Sequence, residues 1–367
     1  MEEKFNSTHD ISLCNILDGA SPKSETITLE SEKQKQIAAN PVLPVDERIE
    51  AFEDILESEV GDTTMSRARN IEREVGLRQM YLKFEGGNPT GTQKDRIAFA
   101  QAMDAMRRGF DAITVATCGN YGVAIALAAS FAGLKCIIYI PERYRTNRIK
   151  EMEKYNPEII RIPGDYEHTV EVSRERAMQE EIYDANPGGA NTILQLRAYG
   201  EIAYEIYDEL RDAPSVVAVP VSNGTTLAGI YKGFQSLYRR GKTSKIPKIV
   251  AGSSFRKNPI IQALLKKTEN CPNLNPDTIK ETAVNEPLIN WHSIDGDHAL
   301  EAIRNSNGWG RFASDKTLIA CSRLIREQEG LSVLPASTAG LCALIEQHKL
   351  QNLQSDRYVV IITGRRS

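Results

Sequence analysis

One lysine in this chain stands where covalent chemistry is possible. Lys94 closes a turn, residues 88–93, that contains a glycine and follows the strand-like run 81–85. Small and turn-forming residues let the backbone approach a ligand closely, and Asp95 opens an amphipathic helix near its positive end. An amine in such a place can act as a nucleophile or a base. Most lysines are solvated surface charges, so Lys94 becomes informative only beside the other motifs.

A loop of small polar residues opens a second helix. It follows the strand-like run 112–116, precedes an apolar helix over 123–132, and consists of Thr117, Cys118, Gly119, Asn120 and Tyr121. Free backbone N–H groups at a helix N-terminus attract anions. Ordinary strand-to-helix turns have a similar composition, so this loop alone leaves an anion site and a structural turn as equal alternatives.

A third loop has the arrangement of a phosphate site. A helix over 227–238 follows it, the apolar run 215–221 precedes it, and its residues are Ser222, Asn223, Gly224, Thr225 and Thr226. A strand, a short polar loop and a helix N-terminus together bind phosphate in many α/β proteins. Because the loop has a single glycine, we expect the hydroxyls of Thr225 and Thr226 to supply part of the hydrogen bonds.

A fourth motif ends a strand near the C-terminus, where the run 358–362 stops at Thr363. The four motifs thus all follow β-like runs. The pattern Asn-Pro-Thr-Gly-Thr-Gln-Lys-Asp-Arg around Lys94 resembles the Schiff-base motif of the fold-type II pyridoxal-phosphate (PLP) enzymes, and is most similar to that of the threonine synthases. The resemblance extends over residues 59–366.

The resemblance implies a role for each motif. Lys94 is then the lysine that holds PLP as an imine and later serves as general base, and Asn120 hydrogen-bonds the phenolic oxygen of its ring. The loop 117–121 binds the substrate carboxylate, and the loop 222–226 binds the cofactor phosphate. Thr363 faces the pyridine nitrogen. A neutral hydroxyl there leaves this nitrogen largely unprotonated, which favours elimination and replacement at the substrate side chain.

The same resemblance implies a phosphorylated substrate. In threonine synthases, an arginine after a similar Asn-Ser-x-Asn stretch binds the phosphate of O-phosphohomoserine. Arg197 has the matching spacing, and a guanidinium suits phosphate better than an ammonium does. Thr117, Asn223 and Arg96 match further positions that help to bind that phosphate. We therefore expect elimination or replacement of phosphate on an O-phospho amino acid.

The match departs from threonine synthase at three positions near the substrate side chain. Tyr121 replaces a threonine, Gly122 a serine and Leu194 an asparagine. Tyr121 is expected either to shorten the pocket, which favours β-replacement on O-phosphoserine, or to supply a phenol for proton transfer. Two alternatives stay open: a serine or threonine dehydratase, which needs no Arg197, and a PLP-binding regulatory protein without catalysis.

Strand-like and helix-like runs alternate along the chain, which is typical of parallel sheets covered by helices on both faces. Between the motifs the pattern predicts strands at 136–140 and 158–162 and helices at 146–155, 166–184 and 198–210.

The fold class is α/β, and the resemblance implies two doubly wound domains like those of the tryptophan synthase β-subunit. We predict a polar N-terminal extension over 1–45, a larger PLP-binding domain over 46–96 plus 192–367, and a smaller inserted substrate-binding domain over 97–191.

Composition excludes several classes of function. The 367 residues have a net charge of −4 without a basic cluster for nucleic acid. No apolar run approaches the roughly 20 residues that cross a membrane, and the N-terminus lacks a secretory signal, so we expect a cytoplasmic protein. The six cysteines and five histidines show no metal-ligand spacing, so no metal is expected. The expected partners are a small amino-acid substrate and a second copy, as a homodimer.

Overall fold

The computed structural model describes residues 29–117, 119–144, 148–354 and 356–366, with the side chains from Ser31 onward. Cys118 of the proposed substrate loop lies outside the described residues, as do residues 1–28 of the N-terminal extension. In the part that is described, no helix is both long and apolar enough to cross a membrane.

Six strands form the larger sheet, in the order β1-β2-β10-β7-β8-β9. All neighbours are parallel except β1 and β2. Val360 at the centre of β10 is paired with Leu82 on β2 and with Ala218 on β7, so the carboxyl ends of these three strands lie side by side. The strands are β1 (Met65–Arg67), β2 (Met80–Phe84), β7 (Val216–Pro220), β8 (Lys248–Ser254), β9 (Trp309–Ala313) and β10 (Tyr358–Ile362).

Four parallel strands form the smaller sheet, in the order β5-β4-β3-β6. They are β3 (Ala112–Ala116), β4 (Lys135–Pro141), β5 (Glu158–Ile162) and β6 (Tyr183–Asp184). All four lie within the stretch 97–191, which the sequence predicts as an inserted domain. The exact domain boundaries stay a prediction.

Helices connect the strands. They are α1 (Leu29–Ala38), α2 (Val45–Glu59), α3 (Arg69–Val75), α4 (Lys94–Arg107), α5 (Asn120–Ala132), α6 (Arg148–Glu153), α7 (Tyr166–Gln179), α8 (Thr192–Leu210), α9 (Thr225–Arg239), α10 (Pro259–Lys266), α11 (Gly296–Asn305), α12 (Asp315–Glu329) and α13 (Ala339–Leu350). The α/β class with parallel sheets is therefore confirmed.

Helices α8 and α9 cross closely enough to require glycine. A Cβ atom at Gly233 would lie 2.4 Å from the carbonyl oxygen of Gly200, and one at Gly229 would lie 2.6 Å from the Cβ of Tyr199. A larger residue at either position would push the helices apart. This crossing brings the first turn of α9, which follows the predicted phosphate loop, next to the first turn of α8.

The helix predicted over 166–184 is wrong over its last five residues. Helix α7 ends at Gln179, and Glu181 adopts a left-handed conformation with φ of 53°. The chain then enters β6, where Tyr183 packs edge-on against Phe110 and donates its hydroxyl to Asp104 at 2.8 Å. Tertiary packing of an aromatic residue on a sheet thus overrides a helical pattern here.

Part of the polar N-terminal extension forms a helix that its sequence did not predict. Ala38 at the end of α1 is buried, and Arg48 donates hydrogen bonds to the carbonyl oxygens of Ala38 and Ala132. The Lys35 ammonium lies 4.6 Å from the centre of the Phe131 ring. Such contacts come from residues distant in sequence, so the local composition of α1 carries no sign of them.

Candidate active site

The structure gathers the predicted cofactor residues around one cavity at the carboxyl ends of β2, β7 and β10. This is the edge at which ligands bind in open parallel sheets. Its lining also includes Leu288, Leu334 and Ser337. All of the residues proposed to bind PLP line the cavity: Lys94, Asn120, Ser222, Asn223, Gly224, Thr225, Thr226 and Thr363.

Lys94 is the first residue of α4, and backbone contacts with the C-terminal strand end fix its place. The Gln93 N–H donates to the carbonyl oxygen of Thr363 at 3.1 Å, and Thr92 forms a β-bridge with Gly364. Burial lowers the pKa of the Lys94 amine to about 8, although the negative charge of Asp295 opposes this shift. A substantial neutral fraction of the amine is therefore present near physiological pH, as a nucleophile or a base requires.

We expect the covalent attachment of PLP to the cofactor-free chain to accelerate with pH around a midpoint of about 8. Only the neutral amine attacks an aldehyde, and an unperturbed lysine reaches that form near a pKa of about 10.4. The rate is measured from the absorbance of the lysine–cofactor bond after rapid mixing, from pH 6 to about 11. A midpoint above pH 10 would contradict the assignment of a buried amine to Lys94.

The loop Ser222–Thr226 has the shape of a phosphate cradle. Gly224 has φ of +96°, and a Cβ atom there would lie 2.7 Å from the Cβ of Ala299 and 2.9 Å from the carbonyl oxygen of Asp295. The first backbone N–H groups of the 15-residue helix α9 follow directly. Free N–H groups and the positive end of a helix dipole attract a phosphate dianion.

One expectation about this loop requires correction. The hydroxyl of Thr225 donates to Oδ2 of Asp295 at 2.5 Å, so its proton is not available for a phosphate. Thr226 also lines the cavity, and its hydroxyl stays a predicted donor beside the backbone N–H groups. The cavity also holds the Lys94 amine and the Thr363 hydroxyl, and the whole set matches PLP: an amine for its aldehyde, a cradle for its phosphate and a hydroxyl for its ring.

Thr363 lies at the end of the central strand β10 and is partly buried. Its carbonyl oxygen accepts from Gln93. Its hydroxyl donates to no other residue within the described ranges, so it is free to meet a ligand in the cavity. No carboxylate is among the described residues that line this cavity, which is consistent with a ring nitrogen that stays largely unprotonated.

Replacing Thr363 with Asp is expected to change the chemistry of the bound cofactor. If Thr363 faces the pyridine nitrogen, a carboxylate would favour the protonated ring and strengthen it as an electron sink. Absorbance at long wavelength during turnover should rise, and products of side reactions should increase. Thr363→Ser is the matched control and should behave like the wild type. An unchanged spectrum and an unchanged product ratio in Thr363→Asp would remove Thr363 from that position.

Tyr121 does not present its phenol to the cavity. The hydroxyl donates to the carbonyl oxygen of Ala185 at 2.8 Å and accepts from the Gln101 side chain. Burial raises the pKa of Tyr121 well above its usual value. Only the ring approaches the site, with its centre 5.7 Å from the Lys94 nitrogen. The structure therefore contradicts a catalytic phenol at Tyr121 and leaves it a steric role beside Lys94.

Arg96 is also turned away from the cavity. Its guanidinium is buried and forms paired hydrogen bonds with both Glu85 and Glu205, at 2.6–2.9 Å. Glu205 in addition accepts from the backbone N–H groups of Asp62 and Thr63. Arg96 thus fixes the segment before β1 and the start of α4, and the structure contradicts its expected contact with a substrate phosphate.

Arg197 lies in a different cavity. Its side chain is exposed on α8, and this second cavity is also lined by Asn191, by Asp104 and Arg108 near the end of α4, and by Tyr183. The two cavities share no lining residue. Thr117 and Gly119 stand before α5, and this helix begins at Asn120, three residues earlier than predicted. Arg197 is not among the described residues that line the cavity of Lys94.

Asp295 is a residue of the site that the sequence analysis missed. It is buried beside the phosphate loop, and its charge acts on Lys94. The sequence did contain a helix-start signal here, because aspartate is a preferred N-cap residue and Asp295 directly precedes α11. Nothing in the sequence links that turn to a loop about 70 residues earlier.

The fold and the site together define an α/β enzyme that binds PLP. A family model for pyridoxal-phosphate dependent enzymes matches residues 56–364, and the chain belongs to this family. Its cofactor is pyridoxal 5′-phosphate.

Curated relatives of the chain include threonine synthases. That of Methanocaldococcus jannaschii is 30% identical over 312 residues, which cover 83% of this chain and 74% of the relative. That of Bacillus sp. (strain ULM1) is 30% identical over 308 residues, which cover 83% of this chain and 82% of the relative.

Solved structures with the same fold have other activities. Maize serine racemase matches with a TM-score of 0.73 at 18% identity, over 87% of this chain and 92% of that one. Threonine deaminase isoform 2 of Solanum lycopersicum matches with a TM-score of 0.72 at 14% identity, over 94% of this chain and 86% of that one. At such identities the likeness extends to the fold alone.

Proposed function

We propose that this enzyme eliminates or replaces the side-chain substituent of a small amino acid, with an O-phosphorylated amino acid as substrate. The observation that carries the reaction type is the presence of the Lys94 amine and the Thr363 hydroxyl in one cavity with a phosphate cradle. The phosphorylated substrate rests on the threonine synthases among the relatives.

Different residues of this chain have different roles in the proposed reaction. When bound, PLP supplies the electron sink that makes the α-proton of an amino acid acidic. The Lys94 amine takes that proton, and its pKa of about 8 lets it both accept and return a proton near neutral pH. The backbone N–H groups at the start of α5 orient the substrate, and Asn120 binds the phenolic oxygen of the cofactor ring. The Tyr121 ring limits the length of the side chain beside Lys94.

A specific observation favours a second candidate, a serine or threonine dehydratase. Lys94 is the only cation among the residues that line the cavity in the described structure. Arg96 is bound by two carboxylates, and Arg197 lines another cavity. A leaving phosphate dianion needs cationic partners, whereas a leaving hydroxyl does not.

A substrate panel decides between the candidates. The holoenzyme is incubated with O-phospho-L-homoserine, O-phospho-L-serine, L-threonine and L-serine, and both inorganic phosphate and 2-keto acid are followed. We expect kcat/KM to be about tenfold or more higher for one phosphorylated substrate than for its hydroxyl counterpart, which corresponds to about 1.4 kcal/mol. Keto acid from serine or threonine at the higher rate would establish the dehydratase. No turnover of any of them would favour the regulatory alternative.

Arg197→Ala is expected to change kcat/KM for the best substrate by less than about threefold, because exposed side chains remote from the reacting atoms contribute little. The resemblance alone predicts a loss of about 30-fold or more, since it places a bidentate arginine on the leaving phosphate. A loss of that size in steady-state kinetics would show that Arg197 reaches the substrate. Arg108→Ala, which changes the same second cavity, serves as the control.

A further inference from the structure

Asp295 packs against the phosphate loop through three groups at once. Its carboxylate accepts from the Thr225 hydroxyl at 2.5 Å, and its backbone N–H donates to the carbonyl oxygen of Asn223 at 3.1 Å. Its own carbonyl oxygen lies against Gly224, where a Cβ atom would approach it to 2.9 Å. The other carboxylate oxygen accepts from Thr192, the first residue of α8, at 3.2 Å. One side chain thus joins the starts of α8 and α9.

The charge of Asp295 is enclosed. The residue is 2% exposed, and within the described ranges it forms no ion pair with a basic side chain. The neighbouring titratable groups on its own segment, His292, Asp297 and His298, are exposed. Burying a carboxylate without a salt bridge costs free energy of folding unless hydrogen bonds and a nearby cation stabilise its charge.

Lys94 is the cation on which this charge acts. The helices α8 and α9 contact the Asp295 carboxylate through neutral side chains. Thr192 makes this contact from α8, and Thr225 makes it from α9. On α4, the Asp95 carboxylate accepts hydrogen bonds from Thr90, and Arg96 forms ion pairs with Glu85 and Glu205. Neither residue therefore interacts with the Lys94 amine.

We propose that Asp295 is a positioning residue of the cofactor site, which fixes the phosphate loop through Thr225. The proposal rests on the PLP site and not on which substrate the enzyme uses. Because Thr225 donates to Asp295, its hydroxyl stays in one orientation and the loop keeps one shape. The carboxylate also attracts a proton to Lys94, against the effect of burial on this amine.

Two variants of Asp295 separate these effects, each measured on the full chain stripped of PLP. Asp295→Asn keeps an oxygen that accepts from Thr225 but removes the charge. Its midpoint for covalent attachment of PLP should move to lower pH than in the wild type, while its PLP affinity should weaken by no more than about threefold. Asp295→Ala removes the acceptor as well. Its PLP affinity, titrated by absorbance, should fall about tenfold or more.

Two further variants complete the test. Thr225→Val removes the other partner of the hydrogen bond and should weaken PLP binding by a similar factor, with no additional loss in the double variant. Asp297→Asn, an exposed carboxylate on the same helix, should change neither the midpoint nor the affinity. Wild-type PLP affinity in both Asp295→Ala and Thr225→Val would overturn the proposal, and a wild-type midpoint in Asp295→Asn would show that its charge does not act on Lys94. Since no amino-acid substrate is present, these results are independent of the substrate panel.

Discussion

Turnover is expected to fall by at least about 1,000-fold when Lys94 is replaced with Ala, which corresponds to about 4 kcal/mol of transition-state stabilisation. The variant loses two functions together, because the same amine holds the cofactor and takes the α-proton. The measurement is kcat/KM with the best substrate of the panel. Since the Lys94 side chain lines a cavity and does not fill the packed core, its removal should leave the fold and its thermal transition nearly unchanged.

An exposed lysine provides the control for this result. Lys316 lies on the outer surface at the start of α12, and Lys316→Ala should keep full activity. If Lys94→Ala kept more than a few percent of wild-type turnover while it remained folded, another base would have to carry the reaction. The assignment of Lys94 would then be wrong, although the family would not change.

The largest expected effect on stability comes from the buried charges behind Lys94. Arg96 and Glu85 are 4% and 0% exposed, and Lys83, which also pairs with Glu205, is 1% exposed. Replacing Arg96 with Met leaves Glu85 buried without its partner, and we expect the free energy of unfolding to fall by about 3–5 kcal/mol. Urea unfolding followed by circular dichroism measures the change.

A surface ion pair on the same helix is the matched control. Arg107 pairs with Glu53, and both side chains are largely exposed, at 55% and 43%. Arg107→Met should lower the free energy of unfolding by less than about 1 kcal/mol, because exposed pairs are screened by water. If Arg96→Met were no more costly than Arg107→Met, the buried cluster would not stabilise the start of α4.

The pH dependence of the buried cluster has a definite sign. Burial raises the pKa of Glu205, but attraction and hydrogen bonds from Arg96 and Lys83 outweigh it and lower the pKa to about 2, from 4.5. A carboxyl with a depressed pKa stabilises the fold fully above its unfolded pKa. This contribution is therefore complete above pH 4.5 and is lost as the pH falls toward about 2.

Local sequence predicted a set of residues that the fold gathers around one cavity, because each motif follows a strand. The runs before Lys94, Ser222 and Thr363 form β2, β7 and β10, whose parallel pairing brings their carboxyl ends to one edge. The run before Asn120 is β3 of the smaller sheet. Such a site is specified by local turns and by strand order. Neither requires knowledge of distant side-chain contacts.

The sequence did not predict which polar groups the fold would pair with each other. Arg96 matches a substrate-binding position, yet its guanidinium pairs with Glu85 and with Glu205. Glu205 lies more than 100 residues away in the sequence. The Thr225 hydroxyl likewise donates to Asp295, and the Tyr121 hydroxyl donates to the backbone carbonyl oxygen of Ala185. A residue type and a spacing define what a side chain can bind, whereas long-range packing decides what it does bind.

The most direct test of the central claim is chemical mapping of the lysine that holds PLP. The wild-type holoenzyme is reduced with borohydride, digested and analysed by mass spectrometry for the phosphopyridoxyl group. We predict that this group is found on the peptide that contains Lys94 and on no other lysine. A reduced adduct on a different lysine, such as the buried Lys83, or a protein that takes up PLP without a reducible bond, would contradict the account.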